Sequence, residues 1–292
     1  MTMFHDIAVI GLGLLGGSLC KCARRNIPGS RMTAYGRDLS KLAPALDDGA
    51  VDEIGLVDRM QLSGKDLVVV CTPVIRSVEI IRAVLQRRDL DGNAVVIDVG
   101  SVKQGVIDGV ADLQRAGSFV GCHPMAGSEQ TGYSHSDADL YRDASVIITP
   151  SPANDESVIR RVDEFWRKLG AKTSRVDPAD HDFRVSLTSH VPHIAACLLV
   201  RLLASGAADG EIDHMLPFIG NGFRDMTRIA SGSPDMWSDI VLMNRENIAR
   251  ALAGFAGEFD KFRQRYLDSG NASADRLAEF FSGVKSLKNG IQ

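Results

Sequence analysis

The first 176 residues alternate between two hydrophobic patterns. Short, almost fully apolar runs are typical of strands that are buried on both faces of a sheet. They lie at residues 7–10, 32–35, 67–71, 94–98, 118–120 and 145–149, and residues 173–176 close the sheet region. Most are followed by stretches with helical spacing, at residues 14–25, 39–48, 75–86, 103–115 and 155–169. This alternation predicts right-handed βαβ units and a mostly parallel sheet.

Beyond residue 179 the strand-type runs stop and long helical patterns take their place. They cover residues 179–205, 209–219, 222–230, 236–267 and 273–287. Pro192 lies inside the first of them, where a proline kinks or interrupts a helix. The chain therefore divides into an α/β domain, residues 1–176, and an all-α domain, residues 177–292.

A glycine motif connects the first strand to the first helix. The sequence Gly11-Leu-Gly13-Leu14-Leu15-Gly16 has the G-x-G-x-x-G spacing, and its position between strand and helix makes it more specific than a glycine-rich turn. Gly11 permits the tight turn, Gly13 lets the backbone approach a pyrophosphate, and Gly16 lets the helix pack closely on the strand. The helix N-terminus then faces the phosphates. We interpret residues 1–176 as a Rossmann-type dinucleotide-binding domain.

Two charged residues at the end of the second strand bear on the choice of cofactor. Asp38 lies about twenty residues beyond the glycines, where an acid binds ribose hydroxyls and favours NAD. Arg37 precedes it and could receive the 2′-phosphate of NADP, so both cofactors stay open. Asp38 could equally be the N-cap of the next helix, or do both. Thr72 and Pro73 follow the third strand at the same sheet edge and complete the expected cofactor site.

The stretch 121–132 contains the first candidate for acid–base chemistry. It is rich in glycine and holds a proline, so we expect a loop. His123 within it has a side chain that can take and give a proton near neutral pH. Ser101 follows the preceding strand, and the carboxyl ends of parallel strands share one edge. We therefore expect Ser101 and His123 to meet there, although each residue alone is more often structural.

The helical domain carries further polar candidates. His190 and His193 are three residues apart and face one side of a helix. They lack a third ligand nearby, so we predict no metal site. Asp225 and Arg228 also share a helix face. They form either a solvated ion pair or a site where the arginine clamps a carboxylate.

Composition sets the class of protein. The chain has 45% hydrophobic and 24% charged residues, which is typical of a soluble globular protein. A net charge of −4 without a run of Lys or Arg gives no reason to expect nucleic acid. The unbroken apolar runs are too short to span a membrane. The five cysteines are expected to be buried free thiols in a reducing cytoplasm.

Several of these motifs occur together in one family. The segments of this chain that carry them are GLGLLGGS (11–18), DVGSVK (98–103), HPMAGSE (123–129), TSHVPH (188–193), FRDMTRIA (223–230) and DMWSDI (235–240). In these, and in their order over both domains, the chain resembles the prephenate/arogenate (cyclohexadienyl) dehydrogenase family of tyrosine biosynthesis. The resemblance implies a dinucleotide-binding domain followed by a helical domain that forms a homodimer.

The resemblance also implies a reaction and roles for residues. His123 would remove the proton of the ring 4-hydroxyl while C4 gives a hydride to NAD and the ring loses CO2. Ser101 would position His123 near the nicotinamide. His193 and Arg228 would bind substrate, the arginine through a carboxylate, and Glu129 and Asp225 would form an ionic network with it. The remaining expected pocket positions are Ser128, Ser189, Gly222 and Trp237.

Alternatives to this activity differ in recognisable residues. Dehydrogenases of the β-hydroxy acid type use a catalytic lysine on the helical domain, whereas residues 179–260 contain none. A dinucleotide-sensing protein would not need the set Ser101, His123, His193 and Arg228. Arogenate carries an ammonium where prephenate has a keto group, and residues 130–133 supply no acid for it. We therefore favour prephenate, with arogenate or both substrates as the alternative.

Overall fold

The computed structural model describes residues 4–206, 212–268 and 273–291. Its centre is an eight-stranded sheet with the order β3-β2-β1-β4-β5-β6-β7-β8. All neighbouring pairs are parallel except β6 and β7. The strands are β1 (Asp6–Ile10), β2 (Arg31–Gly36), β3 (Glu53–Leu56), β4 (Leu67–Val70), β5 (Val95–Asp98), β6 (Phe119–Pro124), β7 (Ser145–Thr149) and β8 (Lys172–Arg175).

Helices cover both faces of this sheet. They are α1 (Leu14–Asn26), α2 (Ala43–Asp47), α3 (Val74–Leu85), α4 (Gln104–Asp108) and α5 (Glu156–Lys168). Alternate residues of β1 enter two different cores, because successive side chains of a strand point to opposite faces. Ile7 and Val9 pack with α1 and α5, whereas Ala8 and Ile10 pack with α3 and α4. The predicted α/β architecture with a mostly parallel sheet is confirmed.

In the sheet domain, three predicted elements differ from the structure and one strand was not predicted. The sequence stretch 121–132 is loop only from Met125, because β6 continues through His123 and Pro124 to pair with β7. The predicted helix 103–115 ends at Asp108. The predicted helix 39–48 is a 3-10 turn, Leu39–Lys41, followed by α2. Strand β3 was not predicted, because its half-exposed residues do not form an apolar run.

Helices dominate the chain from Pro178 onward, as expected. They are α6 (Pro178–Val185), α7 (Val191–Gly206), α8 (Asn221–Thr227), α9 (Pro234–Met243), α10 (Arg245–Phe262) and α11 (Ala274–Asn289). A π-helical turn, Ser186–His190, interrupts the first stretch just before Pro192, in line with the missing N–H of proline. The predicted helix 236–267 is broken at Asn244. Of the predicted helix 209–219, residues 207–211 lie outside the described residues, and two 3-10 turns follow, Ile212–His214 and Leu216–Phe218.

The chain forms two compact units, residues 1–245 and 246–292. The first unit contains the whole sheet together with α6 to α9. The second contains an aromatic cluster in which the rings of Phe262, Tyr266 and Phe280 lie 5.2–5.3 Å apart. The sequence instead suggests a domain boundary between residues 176 and 177, and that boundary stays a prediction.

The cysteines are free thiols, as predicted. Cys20, Cys22 and Cys122 are buried, whereas Cys71 and Cys197 are half-buried. Burial raises the pKa of Cys20 and of Cys122 to about 12. These two thiols therefore stay protonated and act as small apolar side chains in the core.

The helical stretch Pro178–Gly206 is long and apolar. It has 29 residues, and an 18-residue window within it has a mean hydropathy of 1.4. By length and composition it could cross a membrane, and no other helix in the described part of the chain meets these criteria. His181 and Asp182 near its start are nevertheless buried and hydrogen bonded to the sheet domain. These contacts place the start of the stretch inside the protein.

Candidate active site

Five of the parallel strands bring the predicted site residues to one edge of the sheet. The carboxyl ends of β1, β2, β4, β5 and β6 lie side by side there. Gly11, Arg37, Thr72 and Ser101 follow the first four strands, and His123 is the penultimate residue of β6. Ligands of open α/β sheets bind at this edge.

The glycines of the motif leave room that a side chain would fill. Gly11 has a φ of +94°, and an added Cβ would lie 2.7 Å from the carbonyl oxygen of Cys71. A Cβ on Gly16 would lie 2.1 Å from the carbonyl oxygen of Gly11. A Cβ on Gly13 would meet no atom within 4 Å. Gly11 and Gly16 are thus required by packing within the chain, whereas the space over Gly13 is open to a ligand.

The N-terminus of α1 is free to bind an anion. Gly13 caps the helix without a side-chain hydrogen bond, and the first turn carries no acidic residue. Leu14 and Leu15 supply the first helical N–H groups, which have no partner within the helix itself. A helix N-terminus with these features binds phosphate groups, so the site fits the pyrophosphate of a dinucleotide.

The remaining cofactor candidates surround this turn. Asp38 is exposed, and its carboxylate accepts hydrogen bonds from the N–H (2.9 Å) and the hydroxyl (2.7 Å) of Ser40. These bonds lower the pKa of Asp38 and make it the N-cap that the sequence allowed. Arg37 beside it is exposed. Thr72 bonds the Ser77 hydroxyl at 2.9 Å, and Pro73 precedes α3.

His123 belongs to a buried hydrogen-bonded row. Its Nδ1 lies 2.8 Å from Nε2 of His181, and Nδ1 of His181 lies 2.8 Å from Oδ1 of Asp182. His123 is 8% exposed, and the side chains of His181 and Asp182 are 0% and 2% exposed. No hydrogen bond joins Ser101 to His123 within the described residues, so the expected role of Ser101 stays a prediction.

The backbone next to His123 is held by a buried ion pair. Lys103 and Asp98 are paired with both side chains fully buried. Lys103 Nζ also donates to the carbonyl oxygen of Cys122 at 2.8 Å, and Asp98 Oδ1 accepts from the N–H of Cys122 at 3.1 Å. Both backbone groups of Cys122 are therefore fixed by charged partners, which sets the position of His123.

The environment of His123 favours its neutral form. Burial lowers the pKa of His123 well below 6.5, and the nearby His181, Lys103 and His190 lower it further. A neutral imidazole has one nitrogen with a lone pair and can accept a proton. His123 can therefore act as a base at neutral pH without first losing a proton.

Two further histidines pack around one tryptophan. The ring of His193 stacks on Trp237 with centroids 3.5 Å apart and planes at 7°, and the ring of His190 meets Trp237 edge-on at 6.0 Å. A Cβ on Gly232 would lie 2.5 Å from the indole nitrogen of Trp237. Burial lowers the pKa of His190 to about 4 and also lowers that of His193. This packing fixes the orientation of His193.

The structure contains one of the two ion pairs expected at Arg228. Arg228 lies 3.6 Å from Glu129, and their side chains are 65% and 43% exposed. Within the described residues no ion pair joins Asp225 to Arg228. Ser128 is exposed and accepts a hydrogen bond from the N–H of Gln130. Ser189 is half-buried and Gly222 is exposed. Among the described residues, no group of three His, Cys, Asp or Glu side chains could hold a metal ion.

Models of one protein family match the chain in two adjoining segments. The model of the nucleotide-binding domain of prephenate dehydrogenase matches residues 19–175. The model of its dimerization domain matches residues 177–283. The chain belongs to the prephenate dehydrogenase family. The family that the motifs suggested is thereby confirmed.

Named members of the family are similar over most of the chain. Prephenate dehydrogenase of Bacillus subtilis strain 168 is 31% identical over 99% of this chain and 76% of its own length. Cyclohexadienyl dehydrogenase of Zymomonas mobilis is 31% identical over 90% of this chain and 89% of its own. The crystal structure of the Aquifex aeolicus prephenate dehydrogenase with hydroxyphenyl propionate and NAD+ has a TM-score of 0.89 at 29% identity, covering 100% and 99% of the two chains.

Four residues that are hydrogen bonded around His123 were not selected from the sequence as site candidates. His181 and Asp182 were not selected because their partners lie 58 to 79 residues away in the chain. Asp98 and Lys103 were read only as parts of a family motif. The adjacent His181-Asp182 pair, which opens a helix at the expected domain boundary, was the one available signal.

Proposed function

We propose that this chain oxidatively decarboxylates prephenate to 4-hydroxyphenylpyruvate with reduction of NAD. Membership of the prephenate dehydrogenase family supports the reaction. The observation that carries the mechanism is the buried His123 at the carboxyl end of β6, in an environment that keeps its imidazole neutral. His123 accepts the proton of the ring hydroxyl, and the loss of CO2 leaves an aromatic ring.

NAD is the proposed hydride acceptor. The Aquifex aeolicus relative is described with NAD+ bound, and the uncapped N-terminus of α1 beside the open Gly13 fits a pyrophosphate. Asp38 stands where it can accept ribose hydroxyls and repel a 2′-phosphate. Ser101 is proposed to position His123 near the nicotinamide. Replacement of Asp38 by Ser should narrow the preference for NAD over NADP, and a wild type that prefers NADP would contradict the assignment.

Substrate binding is assigned to polar groups of the helical domain and of the loop that follows β6. Arg228 binds a substrate carboxylate, since its planar guanidinium forms two parallel bonds with such a group. His193 contacts the substrate, while Glu129 and Asp225 regulate access to Arg228. Ser128, Ser189, Gly222 and Trp237 are proposed to line the pocket.

Arogenate is the second candidate substrate. A Synechocystis arogenate dehydrogenase has the same fold, with a TM-score of 0.83 at 26% identity over 98% of this chain. The Zymomonas mobilis relative is named a cyclohexadienyl dehydrogenase. Prephenate is favoured because residues 130–133 supply no acid for the ammonium of arogenate.

The chain is proposed to act as a cytoplasmic homodimer. The family model for residues 177–283 is described as a dimerization domain. Apolar side chains on α7 support a second buried surface, since Leu198 is 53% and Leu202 is 68% exposed. Phe259 on α10 is 62% exposed as well. Light scattering should report about twice the 31.5 kDa chain mass, and a stable, active monomer would contradict the proposal.

The deciding experiment measures NADH formation by the purified protein. Prephenate and arogenate are each tested with NAD and with NADP. We expect the highest kcat/KM with prephenate and NAD, and absence of turnover with all four pairs would favour a dinucleotide sensor. The substitution His123→Asn should lower kcat by roughly two to four powers of ten, the range of general base catalysis. Near wild-type kcat in this variant would refute the role of His123.

A further inference from the structure

We propose that His181 and Asp182 are positioning residues that fix the tautomer of His123, so that its Nε2 is the nitrogen that receives the substrate proton. The inference rests on the proposed function, in which His123 is the base. It goes further because it selects one ring nitrogen and assigns two residues outside the substrate pocket to that selection.

The row of hydrogen bonds begins at a firmly held carboxylate. Asp182 Oδ1 accepts from the N–H of Lys103 at 2.8 Å, and Oδ2 accepts from the N–H of Gln104 at 2.9 Å. These N–H groups open α4, where the helix dipole favours negative charge. Asn244 donates to the carbonyl oxygen of Asp182 at 2.8 Å. The carboxylate therefore has a fixed position and orientation.

The direction of each bond follows from what its partners can do. An ionised carboxylate can only accept, so Nδ1 of His181 donates to Asp182. When the His181 ring carries one proton, that proton is on Nδ1, and its Nε2 can only accept. Nδ1 of His123, 2.8 Å away, must donate to it. The remaining nitrogen of His123, Nε2, keeps its lone pair.

Geometry supports this role beyond simple packing. The two imidazole rings meet at 71° with centroids 5.0 Å apart, an arrangement that lets one ring nitrogen point at the other. Within the described residues no hydrogen bond engages Nε2 of His123. The other titratable or charged groups around the ring are His190 and Lys103, the latter neutralised by Asp98. None of them offers an acceptor to Nδ1 in place of His181.

The primary test reads the tautomer directly and needs no turnover. Long-range proton–nitrogen NMR spectra of protein labelled with 15N-histidine separate the two ring nitrogens of each of the seven histidines. The His123→Asn variant identifies the signals of His123. We expect Nδ1 of His123 to carry the proton in the wild type and Nε2 to be unprotonated. A wild-type His123 protonated on Nε2 would overturn the proposal, whatever the enzyme does with prephenate.

A matched pair of variants then tests the link to activity. His181→Leu removes the acceptor, whereas His181→Gln keeps an amide oxygen that can accept from His123. We expect the leucine variant to move the His123 proton toward Nε2 and to lose up to about 100-fold in kcat, the loss typical of a misplaced catalytic group. The KM for prephenate should change little, and the glutamine variant should retain most of the activity.

Control measurements separate positioning from folding and from the proposed reaction. His5→Leu removes an exposed histidine that precedes β1, at the opposite edge of the sheet, and should leave kcat unchanged. Equal losses in the leucine and glutamine variants, with a matching fall in the urea midpoint, would show that His181 is merely structural and contradict the proposal. Absence of wild-type turnover with prephenate would instead refute the proposed function, and the wild-type spectrum would still decide the tautomer.

Discussion

Replacement of Lys103 by methionine should strongly destabilise the protein. The side chains of Lys103 and Asp98 are both 0% exposed and paired with each other. Methionine keeps most of the volume of lysine but leaves Asp98 with only the N–H groups of Cys122 and Gly100 as partners. It also leaves the carbonyl oxygen of Cys122 without the donor that it has at 2.8 Å. A buried, uncompensated charge is the main consequence.

The expected loss is large relative to the stability of a typical domain. Removing one member of a buried ion pair destabilises proteins by about 3–5 kcal/mol, whereas native proteins are stable by about 5–15 kcal/mol in total. Lys172 offers a control, since it pairs with Asp143 at 3.1 Å and both side chains are 73% exposed. An exposed pair contributes about 0–1 kcal/mol, so Lys172→Met should change stability little.

Urea unfolding at a fixed protein concentration measures both effects. The urea midpoint should fall markedly for Lys103→Met and hardly at all for Lys172→Met. The double variant Asp98→Asn/Lys103→Met should lose less stability than the two single losses added together, because it removes the stranded charge. The kcat should also fall, since Cys122 precedes His123. Equal midpoints for the two lysine variants, or full additivity in the cycle, would refute the reasoning.

Three further predictions concern the cofactor turn, the clamp and pH. Gly13→Ala should weaken NAD binding without changing the urea midpoint. Gly16→Ala should lower both the NAD affinity and the urea midpoint, because only the Cβ at residue 16 meets backbone, at 2.1 Å. Titration with NAD and urea unfolding compare the two variants. Arg228→Ala should raise the KM for prephenate roughly tenfold to a hundredfold, as expected for a lost charge-assisted bond of about 1.5–3 kcal/mol. The KM for NAD should stay constant. Equal rises in the KM of both ligands would contradict the assignment of Arg228. Burial holds the pKa of His190 at about 4, below the 6.5 of the unfolded chain. The contribution of neutral His190 to stability is therefore present above about pH 6.5 and is lost as pH falls toward 4. The urea midpoint of His190→Gln should depend less on pH over that range than the wild-type midpoint does.

The elements that the sequence predicted are those with a strong local signal. Strands β1, β4 and β5 contain short runs of apolar residues, and such runs favour a buried strand over a helix when Gly or Pro follows. The glycine motif is equally local, because its conformation and its contacts with the next helix are set within a few residues. The edge where Gly11, Thr72 and His123 meet could also be predicted, since parallel strands must end together.

The parts that were missed depend on contacts between distant segments. The loop expected at residues 121–132 begins four residues late, because pairing with β7 extends β6 and no residue within the loop signals that pairing. His181 and Asp182 gain their importance only when α6 packs against α4 and β6. The broken helix at Asn244 follows the same rule, since its amide bonds Asp182 from 62 residues away. Local propensity carries no information about such partners.

The two sides of the candidate site differ in burial and hydrogen bonding. We expect this difference to decide which side moves when substrate binds. The side that holds His123 is buried, and its neighbours His181, Asp182, Asp98 and Lys103 are hydrogen bonded. Moving it would leave buried groups unsatisfied at about 1–3 kcal/mol each. The side that holds Arg228 is exposed, and its contact with Glu129, at 3.6 Å, is longer than a good charge-assisted hydrogen bond. An exposed pair of this kind stabilises the fold little. In the proposed function, a substrate carboxylate can therefore replace Glu129 at Arg228 with little loss, whereas His123, the proposed base, stays where β6 and α6 have placed it.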